Sequence, residues 1–213
     1  MNLEKQTIFV TGIGTDVGKT VISAIVVEAL QADYWKPIQS GSIEGTDSET
    51  IKKLISNNKT LFHKESYCLK EPQSPHFAAE LENTIIDERK IIRPKTDNIL
   101  VIEGAGGLLV PLNENKTVLD LIFPDDLVIV VSKHYLGSIN HTLLTINELN
   151  RINCKKIGII FVGENKPSTE KIVEAQSNVS IIGRVEMLDK ITAKSIKTQS
   201  ELLKNSLLQF TST

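Results

Sequence analysis

Short, unbroken apolar runs recur along the chain, and most are followed by a stretch in which apolar residues return every three or four positions. The runs Ile8–Val10, Tyr34–Lys36, Ile99–Glu103, Leu127–Ser132, Ile157–Val162 and Ile181–Val185 predict strands. Several are apolar from end to end, the pattern of strands covered on both faces. The periodic segments predict helices. Lys19–Gln31 turns Val21, Ile22, Ile25, Val26 and Leu30 to one side, and Ser48–Ser56 does the same with Ile51, Leu54 and Ile55. Ser138–Asn150 presents Ile139, Leu143, Ile146 and Leu149, and Thr169–Ala175 and Ser195–Leu208 complete the set. This alternation predicts an α/β fold, a mostly parallel central sheet flanked by helices, spanning residues 1–213 as one domain. Ligands of such sheets gather at the carboxyl ends of the strands. The turns after Val10, Lys36, Glu103 and Ser132 are therefore expected around one site. Residues 57–95, with Pro72, Pro75 and Pro94, lack a clear period and are expected to form short helices and loops over that site. The tail Phe210–Thr213 is expected to fray.

Composition narrows the classes. With 24 basic and 26 acidic residues the net charge is −2, so no basic field is available for generic nucleic-acid binding. No apolar run is long enough to span a bilayer, and Met1–Lys5 lacks the basic-then-apolar pattern of a secretory signal. A cytoplasmic protein that touches neither membrane nor nucleic acid is expected. Cys68 and Cys154 are isolated, with no metal spacing, and are expected to be buried as small apolar residues. His63, His76, His134 and His141 show no ligand spacing either.

The chemistry begins at Gly12-Ile13-Gly14-Thr15-Asp16-Val17-Gly18-Lys19-Thr20, between the first predicted strand and the first predicted helix. Strand, glycine-rich turn, Lys-Thr and helix together make a phosphate cradle, so the fold is P-loop NTPase-like. Glycines let backbone N–H groups turn toward anionic oxygens, and the helix adds its positive end. Lys19 can reach the terminal phosphates, and the Thr20 hydroxyl can bind Mg²⁺. Glu103-Gly104-Ala105-Gly106-Gly107 closes an apolar strand, where an acidic residue is costly unless Mg²⁺ or a base compensates. Lys36, at the end of the second predicted strand, could stabilise charge on a transferred phosphoryl group. Asp47 reads as an N-cap or a first-turn acid. Leu136-Gly137-Ser138-Ile139-Asn140-His141 opens a helix whose N–H groups either bind a carboxylate or are capped by Ser138.

In order, Gly12–Thr20, Lys36-Pro37-x-x-Ser40-Gly41-Ser42, Asp47, Ser74-Pro75-His76, Glu103–Gly107 and Leu136-Gly137-x-Ile139-Asn140-His141 closely resemble the dethiobiotin synthetase family. The resemblance implies ATP-dependent carboxylation and ring closure of 7,8-diaminononanoate with CO2 or bicarbonate. The route would pass through a carbamate and a carbamic–phosphoric anhydride. It implies catalytic roles for Lys36, Lys19 and Thr15. Nucleotide contacts would come from Gly14, Asp16, Val17, Gly18, Lys19, Thr20, Val21, Asp47, Glu103, Gly104, Ala105 and Gly106, and Mg²⁺ would be held by Thr20, Asp47 and Glu103. Substrate contacts would come from Ser40 and from Leu136, Gly137, Ser138, Ile139 and Asn140 of the opposite subunit of a homodimer.

Some positions depart from the commoner patterns. Gly12 and Gly18 enclose five residues, which agrees with the family and not with the usual phosphate loop. Val162 stands where the family often has an adenine-reading Asn, and Glu186 where it often has Pro. Weak discrimination among nucleoside triphosphates is the expectation that follows. The rival reading is a regulatory or partitioning-type NTPase. It would require a second lysine four residues before the last loop glycine, where Gly14 stands. An amidotransferase-type ligase would require a glutaminase domain with a cysteine nucleophile, for which the chain has no room.

Overall fold

The computed structural model describes residues 6–212. Seven strands form one sheet, and every pairing in it is parallel. In chain order the elements are β1 (Thr7–Gly12), α1 (Lys19–Leu30), β2 (Asp33–Trp35), β3 (Ile38–Gln39), α2 (Asp47–Leu54), β4 (Phe62–His63), β5 (Tyr67–Cys68), α3 (Pro75–Leu81), β6 (Leu100–Gly107), β7 (Leu127–Lys133), α4 (Ser138–Arg151), β8 (Lys156–Val162), α5 (Pro167–Ser177), β9 (Ser180–Val185) and α6 (Ala193–Thr211). Across the sheet the order is β4-β2-β6-β1-β7-β8-β9, with β3 and β5 forming a separate ribbon. β1 is therefore central, and the loop after it opens in the middle of the carboxyl edge.

The apolar runs are buried as their lack of polar positions predicts. One core layer joins Ile8, Val10, Val101 and Ile129 to α1, α2 and α6; the other joins Phe9, Ile102, Val128 and Ile159 to α3, α4 and α5. Alternate residues of each strand serve opposite faces. α1 is enclosed almost completely, with Ile22, Ala24, Ile25, Val26 and Val27 at 0% exposure. It lies between the sheet and α6, whose Leu203, Leu207 and Phe210 share the same layer.

Several expectations need correction. The tail does not fray: α6 continues to Thr211, with Phe210 and Thr211 buried. Met1–Lys5 and Thr213 lie outside the described residues. Cys68 is exposed, because the ribbon pairs it with Gln39 and covers it no further, and Cys154 is half-buried. Glu103 does not end its strand, since β6 runs on through the glycines to Gly107. Residues 57–95 contribute β4 to the main sheet, β5 to the ribbon, and α3.

Candidate active site

Local sequence shapes the loop after β1. A Cβ on Gly12 would lie 2.5 Å from Val17 Cγ2, so no side chain fits there. Gly18 precedes α1 with φ +98°, a left-handed conformation that glycine adopts freely. Asp16, at φ +56°, takes such a conformation with a side chain, a kind of strain that clusters at ligand sites. Gly18 is the N-cap and offers no side chain, so the first N–H groups of α1 stay open toward the loop. Lys19 folds back and donates to the Gly14 carbonyl at 2.8 Å. Burial drives its ammonium down to about 8, with Glu103 restoring only part of the loss.

β6 approaches the loop from the neighbouring strand. Val10 pairs with Glu103 and Gly12 with Gly107, so three residues of β6 face the single Thr11 of β1. That bulge leaves Glu103 at the rim while the glycines pass close to the loop. A Cβ on Gly107 would lie 3.4 Å from the Gly12 carbonyl oxygen. Glu103 is 1% exposed. Its Oε1 lies 2.9 Å from Thr20 Oγ1 and 3.0 Å from Lys36 Nζ, and its Oε2 accepts from the Tyr34 hydroxyl at 2.9 Å.

Asp47 completes the cluster from the first turn of α2. Thr46, not Asp47, is the N-cap: its hydroxyl accepts from Glu49 N–H at 3.1 Å, and the Glu49 carboxylate accepts from Thr46 N–H at 3.0 Å. This box frees the Asp47 side chain, whose Oδ1 lies 2.9 Å from Thr20 Oγ1 and whose Oδ2 pairs with Lys36 Nζ. Burial alone would lower Lys36, but Glu103 and Asp47 outweigh it and hold the ammonium above the ordinary lysine range. Burial likewise opposes the Asp47 charge, and Lys36 overrides it, keeping the carboxyl below the usual aspartate range.

The oxygen donors here suit Mg²⁺. Thr20 carries one hydroxyl proton and stands 2.9 Å from two carboxylate oxygens, so it can donate to only one of them. The other oxygen–oxygen contact favours a shared cation. Among the described residues no cluster of three or more His, Cys, Asp or Glu could hold a metal by itself. Two carboxylates and a hydroxyl match the partial protein shell of Mg²⁺, which takes its remaining ligands from phosphates and water.

A cleft of about 820 Å³ unites Thr15, Asp16, Gly18, Lys19, Thr20, Val21, Lys36, Ser40, Asp47, Glu103, Ala105 and Gly106. Ser40 Oγ is buried there with no hydrogen-bond partner among the described residues. Gly104 does not line the cleft; its missing side chain faces Phe9 and Val118. Val17 lines a second, smaller cavity of about 140 Å³ on the other flank of the loop, with Val21, Val162, Val185, Leu188 and Ile191. Leu136–Asn140 touch neither cavity. Leu136 is fully exposed, Ser138 is buried, and α4 starts after Gly137 at φ +104° with no side-chain cap. Capping by Ser138 is thereby ruled out.

Tyr34 and Gln39 are absent from the sequence-derived candidates. Tyr34 reads as one more apolar strand residue, and only the tertiary contact reveals its bond to Glu103. Gln39, 5% exposed, donates to the Ser40 carbonyl at 2.7 Å and accepts from Asp47 N–H at 2.9 Å. It ties the Lys36–Ser40 segment to the start of α2.

Fold and loop define a nucleotide-binding domain of the phosphate-loop class, and the AAA domain family model matches residues 6–195. Among solved structures, a plasmid partition protein from Borrelia burgdorferi (16% identity, TM-score 0.56, 95% of this chain and 99% of that one) and MinD from Aquifex aeolicus (13%, 0.54, 97% and 95%) share the fold. Sequence relatives separate this chain from them. The ATP-dependent dethiobiotin synthetase of Christiangramia forsetii is 50% identical over 204 residues, covering 96% of this chain and 99% of that protein. That of Cytophaga hutchinsonii is 48% identical over 190 residues, covering 88% and 92%. The chain belongs to the ATP-dependent dethiobiotin synthetases, ligases of biotin biosynthesis.

Proposed function

We propose that the large cleft binds ATP, Mg²⁺ and 7,8-diaminononanoate, and that two copies of the chain form the working enzyme. The observation that carries this reading is the convergence of Asp47 and Glu103 on both Lys36 and Thr20, one residue from the phosphate-loop Lys19. CO2 adds to one amine of the diamine, which loses a proton and becomes a carbamate. The carbamate oxygen attacks the γ-phosphorus, and the bond from that phosphorus to ADP breaks. The second amine then attacks the carbamic carbonyl, closes the ring and expels phosphate.

Each group has a task. Lys19 and the open N–H groups of α1 orient the phosphates. The Lys36 ammonium neutralises charge on the carbamate and the transferred phosphoryl group, and its two carboxylate partners keep it protonated. Thr15, exposed on the loop, faces the same space. Mg²⁺, held by Thr20, Asp47 and Glu103, supplies charge neutralisation to the triphosphate. Alignment within one closed complex makes the final amine attack intramolecular. Ser40 offers its unpartnered hydroxyl to the diamine. The uncapped start of α4 supports a carboxylate site at Leu136–Asn140, presented to the cleft of a second copy, and the bare Leu136 supports an interface there.

Incubation with the diamine, bicarbonate, Mg²⁺ and ATP tests the reading. Dethiobiotin and phosphate are expected in equal amounts. Phosphate release indifferent to the diamine would move the protein to the regulatory NTPase class. Lys36→Ala is expected to lower kcat by about 10²–10³-fold, as for loss of a group that stabilises transition-state charge. Turnover at the wild-type rate in that variant would remove Lys36 from the chemistry.

A further inference from the structure

Glu103 is held on both carboxylate oxygens, and the group on the second has no part in the chemistry proposed for the cleft. Oε1 faces Thr20 and Lys36; Oε2 accepts from Tyr34 at 2.9 Å. The register explains the reach. Tyr34 of β2 pairs with Val101 of β6, and Glu103 lies two residues further along the same face. A diagonal neighbour of this kind is within range of a tyrosine and beyond that of a serine or threonine. On its other side Tyr34 pairs with Phe62 of β4, and the two rings pack with centroids 5.8 Å apart at 56°. The phenol is thus fixed by two strands and is completely buried. The terminal torsion of a glutamate has no sharp preference of its own. A carboxylate bound at Oε1 alone could twist; a second bond at Oε2 stops it.

We propose that Tyr34 is a positioning residue: its hydroxyl locks the Glu103 carboxylate so that Oε1 stays turned toward Thr20 and the metal. The inference rests on the reading of Glu103 as a ligand of Mg²⁺. It makes the edge of the sheet, through the aromatic pair Tyr34–Phe62, a support of the metal site.

The test reads metal binding without turnover. Mn²⁺ is titrated into the full-length protein with a nonhydrolysable ATP analogue, and the loss of the free-Mn²⁺ paramagnetic resonance signal, after subtracting the loss caused by the analogue without protein, gives the dissociation constant. Tyr34→Phe is expected to weaken binding about 10- to 100-fold, the range for an outer-shell partner of a ligand. The Mg²⁺ concentration for half-maximal turnover should rise in step, with KM for the diamine unchanged. Val173→Ala, a remote core variant, is expected to lower stability and leave Mn²⁺ binding as in wild type. 3-Fluorotyrosine at position 34 keeps the ring's shape and changes the donor strength, so Mn²⁺ affinity must change with it even if Tyr34→Phe fails to fold. Wild-type Mn²⁺ affinity in Tyr34→Phe, or in the fluorinated protein, overturns the proposal if Glu103→Gln does weaken binding. Wild-type affinity in Glu103→Gln as well would overturn the metal reading itself, and this inference with it.

Discussion

Val162 shows how one side chain shapes the wall of a cavity. It closes β8 beside Gly18, whose Cβ would lie 3.7 Å from both Val162 methyls. The small cavity beyond is walled by Val17, Val21, Val185, Leu188 and Ile191, with Lys133 and the exposed Glu186 at its margin. Discrimination between bases by hydrogen bonding needs buried polar groups that a wrong base leaves unpaired. This wall has apolar side chains in that place, so a nucleotide base seated there would be held chiefly by contact. ATP is expected to be preferred over GTP and CTP by less than about 100-fold in kcat/KM, the scale of discrimination by contact alone. Steady-state kinetics with each nucleotide checks this; a stronger preference for ATP would refute it. The same scale separates legible residues from hidden ones. Lys19 and Thr20 could be read because a fixed spacing ties them to a glycine turn. Lys36, Asp47 and Glu103 are spread over 68 positions of chain, and only a family resemblance joined them. Tyr34 and Gln39 act through other residues and leave no pattern.

Among the elements, β2 depends on polar support at its first residue. Its first residue, Asp33, is 1% exposed and accepts from Leu61 N–H at 3.0 Å, Thr96 Oγ1 at 2.6 Å and Asn98 Nδ2 at 3.1 Å. These bonds fasten the edge strand β4 and the turn before β6 to β2. Burial opposes the Asp33 charge, but the bonds from Thr96, Leu61 and Asn98 prevail and hold its carboxyl below the usual 3.8. A group depressed in this way adds stability that is complete above pH 3.8 and is lost as pH falls through its lower folded value. Asp33→Asn is therefore expected to cost about 1–3 kcal/mol at neutral pH. It should also flatten the acid limb of stability below pH 3.8. Urea titrations across that range measure both, and an unchanged acid limb would exclude Asp33 as a source. Six strands and five helices could be located from periodicity, within a few residues at most ends. β3, β4 and β5 could not, since two residues are too short to show a period. α3 follows Ser74-Pro75, a start signal hidden among irregular sequence.

At the scale of the whole molecule, the cleft and the Leu136–Asn140 segment stand apart within one chain. A homodimer that shares its site across the interface predicts complementation. Lys36→Ala and Gly137→Val are each expected to be nearly inactive, the second because valine resists the φ of +104° at that position. Subunits mixed in equal amounts and allowed to exchange should recover about a quarter of wild-type activity, since half the dimers are mixed and each restores one site of two. No recovery after proven exchange, or a monomer by sedimentation, would defeat the shared site. The fold itself does not decide among activities, for a plasmid partition protein at 16% identity shares it.

Alternating apolar runs and periodic segments determined by themselves the class of fold, because burying both faces of a parallel sheet leaves few other patterns. The glycine spacing before Lys19 likewise determined where an anion would sit, because that geometry is local to the chain. How closely the distant Asp47 and Glu103 approach Thr20, how the bulge in β6 aims Glu103, and which phenol steadies it were decided only by tertiary structure. Those relations depend on strand order and register, and neighbours across a sheet are not neighbours in sequence.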